Sequence, residues 1–301
     1  MNKLNTYDAA IVGGSYAGLS AAMSLGRAIR NVLVVDGGKP CNIQTPHSHN
    51  FLTQDGNTPT EIAEAAKKQA LAYPTIQFIS DSVTSVIGKN NEFEVSTSQG
   101  GKFFAKKIIF STGVKDIMPD IPGFSQSWGI SVIHCPYCHG YEFRGRNTGI
   151  LINGEHAFEF GRLIKNWTPH LTIFTNGQPT FDQQTFAEIE ALGIKIVETE
   201  IAKIEHENGQ IRSLVFKNGT SEELDALYAR IPFVQHCNIP EMLGCTISDA
   251  GHIGVDDFQQ TSIPGIYAAG DCTTPMRSVS LAVSAGNKAG AFVNQALTSG
   301  R

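Results

Sequence analysis

Tyr7-Asp8-Ala9-Ala10-Ile11-Val12-Gly13-Gly14-Ser15-Tyr16-Ala17-Gly18 is the stretch that decides the fold. Its apolar run enters two glycines, and a helical pattern follows through Leu19, Ala21, Ala22, Met23 and Leu25 to Arg27. A second apolar run, Val32-Leu33-Val34-Val35, ends in Asp36. The order is strand, glycine turn, helix, strand. Strands that are apolar throughout suit a parallel sheet covered on both faces. A glycine turn lets the backbone approach a pyrophosphate, and the helix opening there directs its N–H groups and positive dipole end at that anion. An acid about 20 residues farther on can hold ribose hydroxyls. Asp36 lies 23 residues after Gly13. The turn departs from the G-x-G-x-x-G pattern at its middle position, Ser15, which should keep a phosphate slightly farther from the backbone. Alone, such a turn reads equally as an ordinary strand–helix connection; the strand–helix–strand–Asp context is what favours a dinucleotide. The expected contacts are Gly13, Ser15, Tyr16, Ala17 and Gly18 from the turn, and Asp36 with Gly37 from the second strand.

Working outward, 301 residues predict about two domains. An apolar fraction of 41% is far from a disordered composition. Thirty glycines exceed the usual share of about 7% and fit close backbone approach or many turns. A net charge of −5 gives no support for nucleic acid or an anionic membrane as partner. No apolar run reaches the roughly 18 residues of a membrane span. The N-terminal MNKLNTYDAAIVGG lacks the pattern of a signal peptide, so a cytoplasmic protein is expected. Six cysteines with only one close pair are not a secreted disulfide framework. A close pair in a reducing compartment reads instead as redox chemistry or metal binding.

Near the other end, Ile263-Pro264-Gly265-Ile266-Tyr267-Ala268-Ala269-Gly270-Asp271 is a short strand closing in Gly-Asp. The plainer reading is a strand–turn–helix with an N-cap Asp. The string resembles the second FAD motif of the two-dinucleotide-domain flavoproteins, and QTSIPGIYAAGD is similar to the low-molecular-weight thioredoxin reductases. In that family the aspartate matching Asp271 hydrogen-bonds the ribityl chain. The helix matching Val279 to Ala291, opening at Val279, Ser280 and Leu281, directs its N-terminus at the flavin ring. A helix N-terminus stabilises the negative charge of reduced flavin. Ser111-Thr112-Gly113, after Ile108-Ile109-Phe110, resembles the family's crossover between domains. The resemblance covers essentially the whole chain. It implies an α/β fold of two dinucleotide-binding, Rossmann-like, three-layer ββα domains, the second inserted into the first. Residues 1–116 and 241–301 would form the FAD-binding domain, and 117–240 the inserted pyridine-nucleotide-type domain.

His134-Cys135-Pro136-Tyr137-Cys138-His139-Gly140-Tyr141-Glu142 carries the chemistry. Two cysteines at C-x-x-C spacing close a small disulfide with little rearrangement, and the second thiol resolves mixed disulfides quickly. C-P-Y-C also occurs in glutaredoxins, but there it opens a domain of about 100 residues. Zinc would need two further ligands at paired spacing; Cys237 and Cys245 are the candidates. Cys41 and Cys272 read as small structural residues. By resemblance, Cys138 exchanges electrons with the flavin and Cys135 with the substrate disulfide. The family usually has an aspartate after the pair as proton donor, where this chain has His139, which titrates near neutral pH. The C-x-x-C-H-G-Y-E form is similar to dithiol oxidases that close disulfides in fungal and bacterial natural products. It is also similar to flavin-linked disulfide reductases that do not use NADPH. His134 and Glu142 are further acid–base candidates or solvated turn residues.

The inserted domain departs from the thioredoxin reductase pattern. Its turn is Ile152-Asn153-Gly154-Glu155-His156-Ala157, with Ile152 at the first glycine and Glu155 adding negative charge. One strand later the family's cations for the 2′-phosphate are replaced by Thr175-Asn176-Gly177-Gln178. Each hydrogen bond to a charged group contributes about 1.5–3 kcal/mol, so two lost arginines cost about 3–6 kcal/mol, roughly a hundredfold to ten-thousandfold in affinity. Productive NADPH binding is therefore not expected. His156 to Trp167, with Phe158 and Phe160, is either an ordinary core helix or a remodelled site for a second cofactor. His47 and His49 lie on a surface loop or in a region the family places near the flavin; without nearby acids or cysteines they make no metal site, and no metal is expected. The expected function is an FAD-dependent thiol–disulfide oxidoreductase working without NADPH. Its partners would be a small dithiol or disulfide or a thioredoxin-like protein, with a donor such as ferredoxin. Homodimerisation is implied by the resemblance. An NADPH-dependent thioredoxin reductase and a non-catalytic flavin redox sensor remain the alternatives.

Overall fold

The computed structural model describes residues 5–300. The first four residues of the stretch read for a leader, and of the 1–116 segment, lie outside it, as does residue 301 at the chain's other end. The described residues form two compact units. One contains residues 5–43, 51–115 and 233–300; the other contains 44–50 and 116–232.

In the first unit the strands Thr6–Val12 and Val32–Asp36 pair in parallel, Ala10 opposite Leu33 and Val12 opposite Val35. They sit inside a seven-stranded sheet. Ile76–Ser80 flanks Val32–Asp36, and Lys102–Phe110 lies on the other side of Thr6–Val12. On its other edge the strand Lys102–Phe110 has two partners along its length. Its first half pairs antiparallel with Glu92–Thr97, which continues to Val83–Lys89. Its second half pairs in parallel with Ile266–Ala268, so a segment from near the C-terminus completes the sheet. The fully apolar strands are buried on both faces, as their lack of alternation predicts. On one face Ala9, Ile11 and Val34 pack against Ala21, Leu25, Ala289 and Val293 of two helices. On the other Ala10, Leu33 and Ile108 pack against Val95, Ile253 and Cys272.

Those two helices are Tyr16–Arg27 and Val279–Ser299, the second running eight residues beyond the Ala291 suggested by resemblance. They cross at backbone contact. A Cβ on Gly286 would lie 2.0 Å from the Ala17 carbonyl oxygen, and one on Gly290 would lie 2.6 Å from that of Ala21. Ser20 Oγ donates to the Val283 carbonyl at 2.7 Å. Small residues in both helices thus fix where each helix begins.

The second unit carries a five-stranded parallel sheet in the order Lys195–Val197, Leu171–Phe174, Thr148–Leu151, Ala226–Ala229, Val132–Ile133. An antiparallel meander, Ile201–Glu207, Gln210–Phe216 and Ser221–Glu223, packs Ile204 and Leu214 against Phe174 and Leu227. The helices Ala157–Ile164 and Gln183–Ala191 bury Ile164 and Ile189 on the sheet. Among the described residues no helix is long and apolar enough to cross a membrane.

Candidate active site and cofactor cradle

The turn after Thr6–Val12 is built for close backbone approach. Gly13 has φ of +100°, a region that only glycine enters at little cost, and a Cβ there would lie 2.4 Å from the Ser111 carbonyl oxygen. A Cβ on Gly18 would lie 1.9 Å from the Gly13 carbonyl oxygen. Ser15 is the N-cap of Tyr16–Arg27, and its side chain makes no capping hydrogen bond. The helix therefore opens with its first N–H groups uncapped by that hydroxyl, the arrangement that receives an anion. Asp36 accepts from Gly14 N at 2.8 Å and from Gly38 N at 3.1 Å. A carboxylate has about four acceptor positions, so capacity for ribose hydroxyls remains. Gly37, next to it, is exposed. The Tyr16 side chain turns away from this role. It is buried, and its hydroxyl donates to the Pro59 carbonyl at 3.1 Å. Only the backbones of Tyr16 and Ala17 face the turn's task.

Ser111 ties the crossover to this turn, donating to the Gly13 carbonyl at 2.7 Å. Beside it the Thr112 hydroxyl oxygen is buried with no hydrogen-bond partner. Gly113 has φ of +64° and open space around its α-carbon. At the other chain end Gly270, with φ of +90°, brings its backbone within 3.0 Å of Ala17 Cβ, measured from the Cβ it lacks. Asp271 accepts from Cys41 Sγ at 3.7 Å and lies 3.6 Å from Arg277 Nε. Ser278 caps the last helix by accepting from Leu281 N at 3.2 Å, and Val279 and Ser280 form the rest of its opening. Thus the structure brings both glycine motifs, the crossover and both aspartates into one unit. Uncapped N–H groups, free acceptor capacity on Asp36 and an orphaned buried hydroxyl fit the donors and acceptors of a dinucleotide. Cys272 is fully buried, and burial pushes its thiol up to about 12, so it is inert filler. Cys41, read as a small structural residue, is exposed instead.

In the second unit Cys135 and Cys138 form a disulfide with Cα atoms 5.3 Å apart. Cys135 caps the one-turn helix Pro136–His139, its Sγ accepting from Cys138 N at 3.2 Å. Gly140 closes the turn where nothing larger fits: a Cβ would lie 2.4 Å from the Pro136 carbonyl oxygen and 2.8 Å from Trp167 Nε1. Trp167 lies beyond the helix Ala157–Ile164 and meets the Tyr137 ring edge-on at 5.7 Å. It props the dithiol turn and is not part of the core helix. His139 is pushed down to about 4 by burial and by His49, so it is a neutral imidazole near pH 7. His134 stacks on Trp128 at 5.7 Å between ring centres. Sequence reading missed that residues 44–50 join this unit, where His49 Nε2 lies 3.6 Å from Glu142 Oε1. About 90 residues separate the two, and only their titratable character hinted at a shared role.

The inserted turn is arranged differently from the first. Asn153 Nδ2 donates to the carbonyls of Thr175 at 3.2 Å and Gln178 at 2.9 Å, while its Oδ1 accepts from Thr180 N at 2.8 Å and Thr180 Oγ1 at 3.1 Å. Its side chain is thus a staple between the loops that follow two neighbouring strands. Asn176, with φ of +51°, accepts from Ile201 N at 2.7 Å. Both lie in segments whose sequence departs from the family pattern, and the structure gives each a framework role.

The pyridine nucleotide-disulphide oxidoreductase family profile matches residues 7–289. The chain is 33% identical over 310 residues to thioredoxin reductase sirT of Leptosphaeria maculans, covering 96% of this chain and 93% of that protein. It is 31% identical to thioredoxin reductase tcpT of Claviceps purpurea, covering 99% and 96%. Among solved structures an oxidoreductase from Agrobacterium tumefaciens superposes with a TM-score of 0.92 at 37% identity, covering 98% of this chain and 100% of that one. With a glycine cradle fit for FAD and a closed Cys135–Cys138 pair on one chain, this protein belongs to the pyridine nucleotide-disulphide oxidoreductase family and is a flavin disulfide oxidoreductase of the thioredoxin reductase type.

Proposed function

We propose that this chain exchanges two electrons between a substrate dithiol or disulfide and its Cys135–Cys138 pair, with FAD as the internal partner and without NADPH. Cys135 exchanges with the substrate sulfur, because its Sγ already accepts from Cys138 N. Cys138 resolves the mixed disulfide, and neutral His139 takes or returns the proton. FAD, when bound, supplies the two-electron acceptor or donor for the dithiol. Gly13, Ser15, Ala17, Gly18, Asp36, Thr112, Gly113, Gly270, Asp271 and the opening of Val279–Ser299 hold it. In this reading 1–116 and 241–301 are the FAD-binding domain and 117–240 the inserted domain. The protein acts as a cytoplasmic homodimer.

The observation that carries NADPH independence is the Asn153 staple. A pyridine nucleotide would need the crevice at the carboxyl ends of those strands. Opening it breaks four hydrogen bonds and leaves Glu155 beside the pyrophosphate. The electron donor or acceptor is then oxygen, a redox protein such as ferredoxin, or a second cofactor. A groove of about 600 Å³ lined by His156, Phe160, Arg162 and Arg230 offers a place for a second cofactor. The relatives' names, thioredoxin reductase, favour the second reading, in which NADPH is the electron donor.

Anaerobic stopped-flow reduction of the flavin decides between them. NADPH and NADH are each expected to leave the visible absorbance unchanged over seconds, while a small dithiol bleaches it. Fast bleaching by NADPH would return the protein to the second reading. Absence of bleaching by either would point to a dedicated protein electron donor or to the flavin-sensor alternative.

A further inference from the structure

Four titratable side chains of the second unit interact in a chain that ends at His139, the residue after Cys138, and the mechanism above uses only one of them. His49 Nε2 lies 3.6 Å from Glu142 Oε1, the two side chains being 22% and 39% exposed. His139 follows Cys138 in the chain and lies close enough to His49 for their charges to interact. The Tyr228 hydroxyl is buried without a hydrogen-bond partner, and both burial and the charge of Glu142 push that phenol up. The His47 ring, on the same segment as His49, stands 6.4 Å away. The groups facing His49 include His47 from its own segment and Glu142 and His139 from the dithiol turn.

We propose that His49, held by Glu142, is the proton station for thiol–disulfide exchange at Cys135–Cys138, relaying through His139. The inference rests on the assignment of Cys135–Cys138 as the exchanging pair and is independent of the pyridine nucleotide question. In the exchange a substrate thiol first loses its proton and attacks Cys135 Sγ. The substrate–Cys135 bond forms, the Cys135–Cys138 bond breaks, and Cys138 leaves as a thiolate that takes up a proton. The second substrate thiol then loses its proton and attacks the first substrate sulfur. The substrate disulfide closes, the bond to Cys135 breaks, and Cys135 takes up the second proton. Two electrons pass from substrate sulfurs to cysteine sulfurs, and two protons follow them, one at a time. Each proton needs somewhere to wait between sulfurs. His139 is poor at holding it, because burial penalises the imidazolium. His49 is only partly buried, and its Nε2 lies 3.6 Å from the Glu142 carboxylate, a place where a proton can wait. His49 is therefore a relay residue that acts through His139.

The test is the rate at which dithiothreitol reduces the Cys135–Cys138 disulfide in the flavin-loaded protein. Aliquots are quenched with an alkylating reagent and counted by mass between pH 5 and 9, a readout that does not require turnover. Beyond the rise from ionisation of the reagent, the wild-type rate is expected to show an inflection near neutral pH. His49→Gln should remove that inflection and slow the reaction about tenfold at pH 7, less than the typical effect of a direct general base. Glu142→Gln should shift the inflection, because the side chain that holds His49 is altered. Folded variants with wild-type profiles would overturn the relay. If His49→Gln does not fold, an unshifted inflection in Glu142→Gln overturns it alone. A wild-type disulfide that dithiothreitol cannot reduce would sink the assignment of the dithiol itself and the relay with it.

Discussion

At the turn after Thr6–Val12 a Cβ on Gly18 would lie 1.9 Å from the Gly13 carbonyl oxygen, whereas at the turn after Thr148–Leu151 a Cβ on Gly154 would meet only Thr180 Oγ1, at 3.8 Å. Both turns join a buried parallel strand to a helix. In the first, glycine is required by packing, so that backbone and helix end come close enough to leave an anion-sized place of bare N–H groups. In the second, glycine serves only its own φ of +107°, and a side chain, Asn153, occupies the space between the loops. The same topology is a cradle where backbones meet and a closed seam where a side chain bridges them. The comparison sets a turn shaped by backbone contact in one unit against a turn bridged by a side chain in the unit that carries the dithiol.

The largest expected effect separates those two glycines. Gly18→Ala forces the turn backbone apart and is expected to cost about 3 kcal/mol or more, with loss of flavin on purification. Gly154→Ala is expected to cost only about 1 kcal/mol, from the left-handed backbone, and to leave the flavin in place. Thermal melting and the flavin-to-protein absorbance ratio check both. Equal losses would mean that the two turns do the same work.

What could be read from residues alone follows from how local each signal is. Gly13, Gly18 and Asp36 announce the first turn because strand, turn and helix are consecutive. Gly270-Asp271 and Cys135-x-x-Cys138 are likewise short strings whose spacing is their meaning. The joining of residues 44–50 to the dithiol unit was illegible, because the partners His49 and Glu142 meet only after the chain has folded. The role of Asn153 was hidden for a different reason. An asparagine in a turn is ordinary, and only coordinates reveal four simultaneous hydrogen bonds. Trp167 misled through periodicity: it continues the apolar pattern of Ala157–Ile164, yet it lies past the helix end and braces Tyr137.

A smaller effect tests whether the second turn could be converted back. Asn176 lies in the segment 175–178, where the family resemblance leads one to expect a cation. Asn176→Arg is expected to lower stability by about 2 kcal/mol, from the lost bond to Ile201 N and the left-handed backbone. It should confer no flavin reduction by NADPH, because Asn153 still bridges the loops. Denaturant melts and anaerobic mixing with NADPH read the two parts separately. An arginine variant as stable as wild type and bleached by NADPH would show that charge alone, rather than the staple, keeps the nucleotide out.

The smallest effect sharpens the first turn's side of the comparison. The Thr112 hydroxyl oxygen is buried without a partner inside the unit that carries both glycine motifs. A buried hydroxyl left unsatisfied costs about 1–3 kcal/mol, and a hydrogen bond regained from a ligand returns about 1 kcal/mol. Thr112→Val keeps the shape and removes the hydroxyl. The flavin-free variant should therefore melt slightly above flavin-free wild type, while flavin affinity falls roughly fivefold, the equivalent of about 1 kcal/mol. Opposite signs in the two states would identify Thr112 as a ligand-directed group. A variant destabilised equally with and without flavin would make it an ordinary framework residue, and the cradle would then rest on backbone N–H groups and the two aspartates alone.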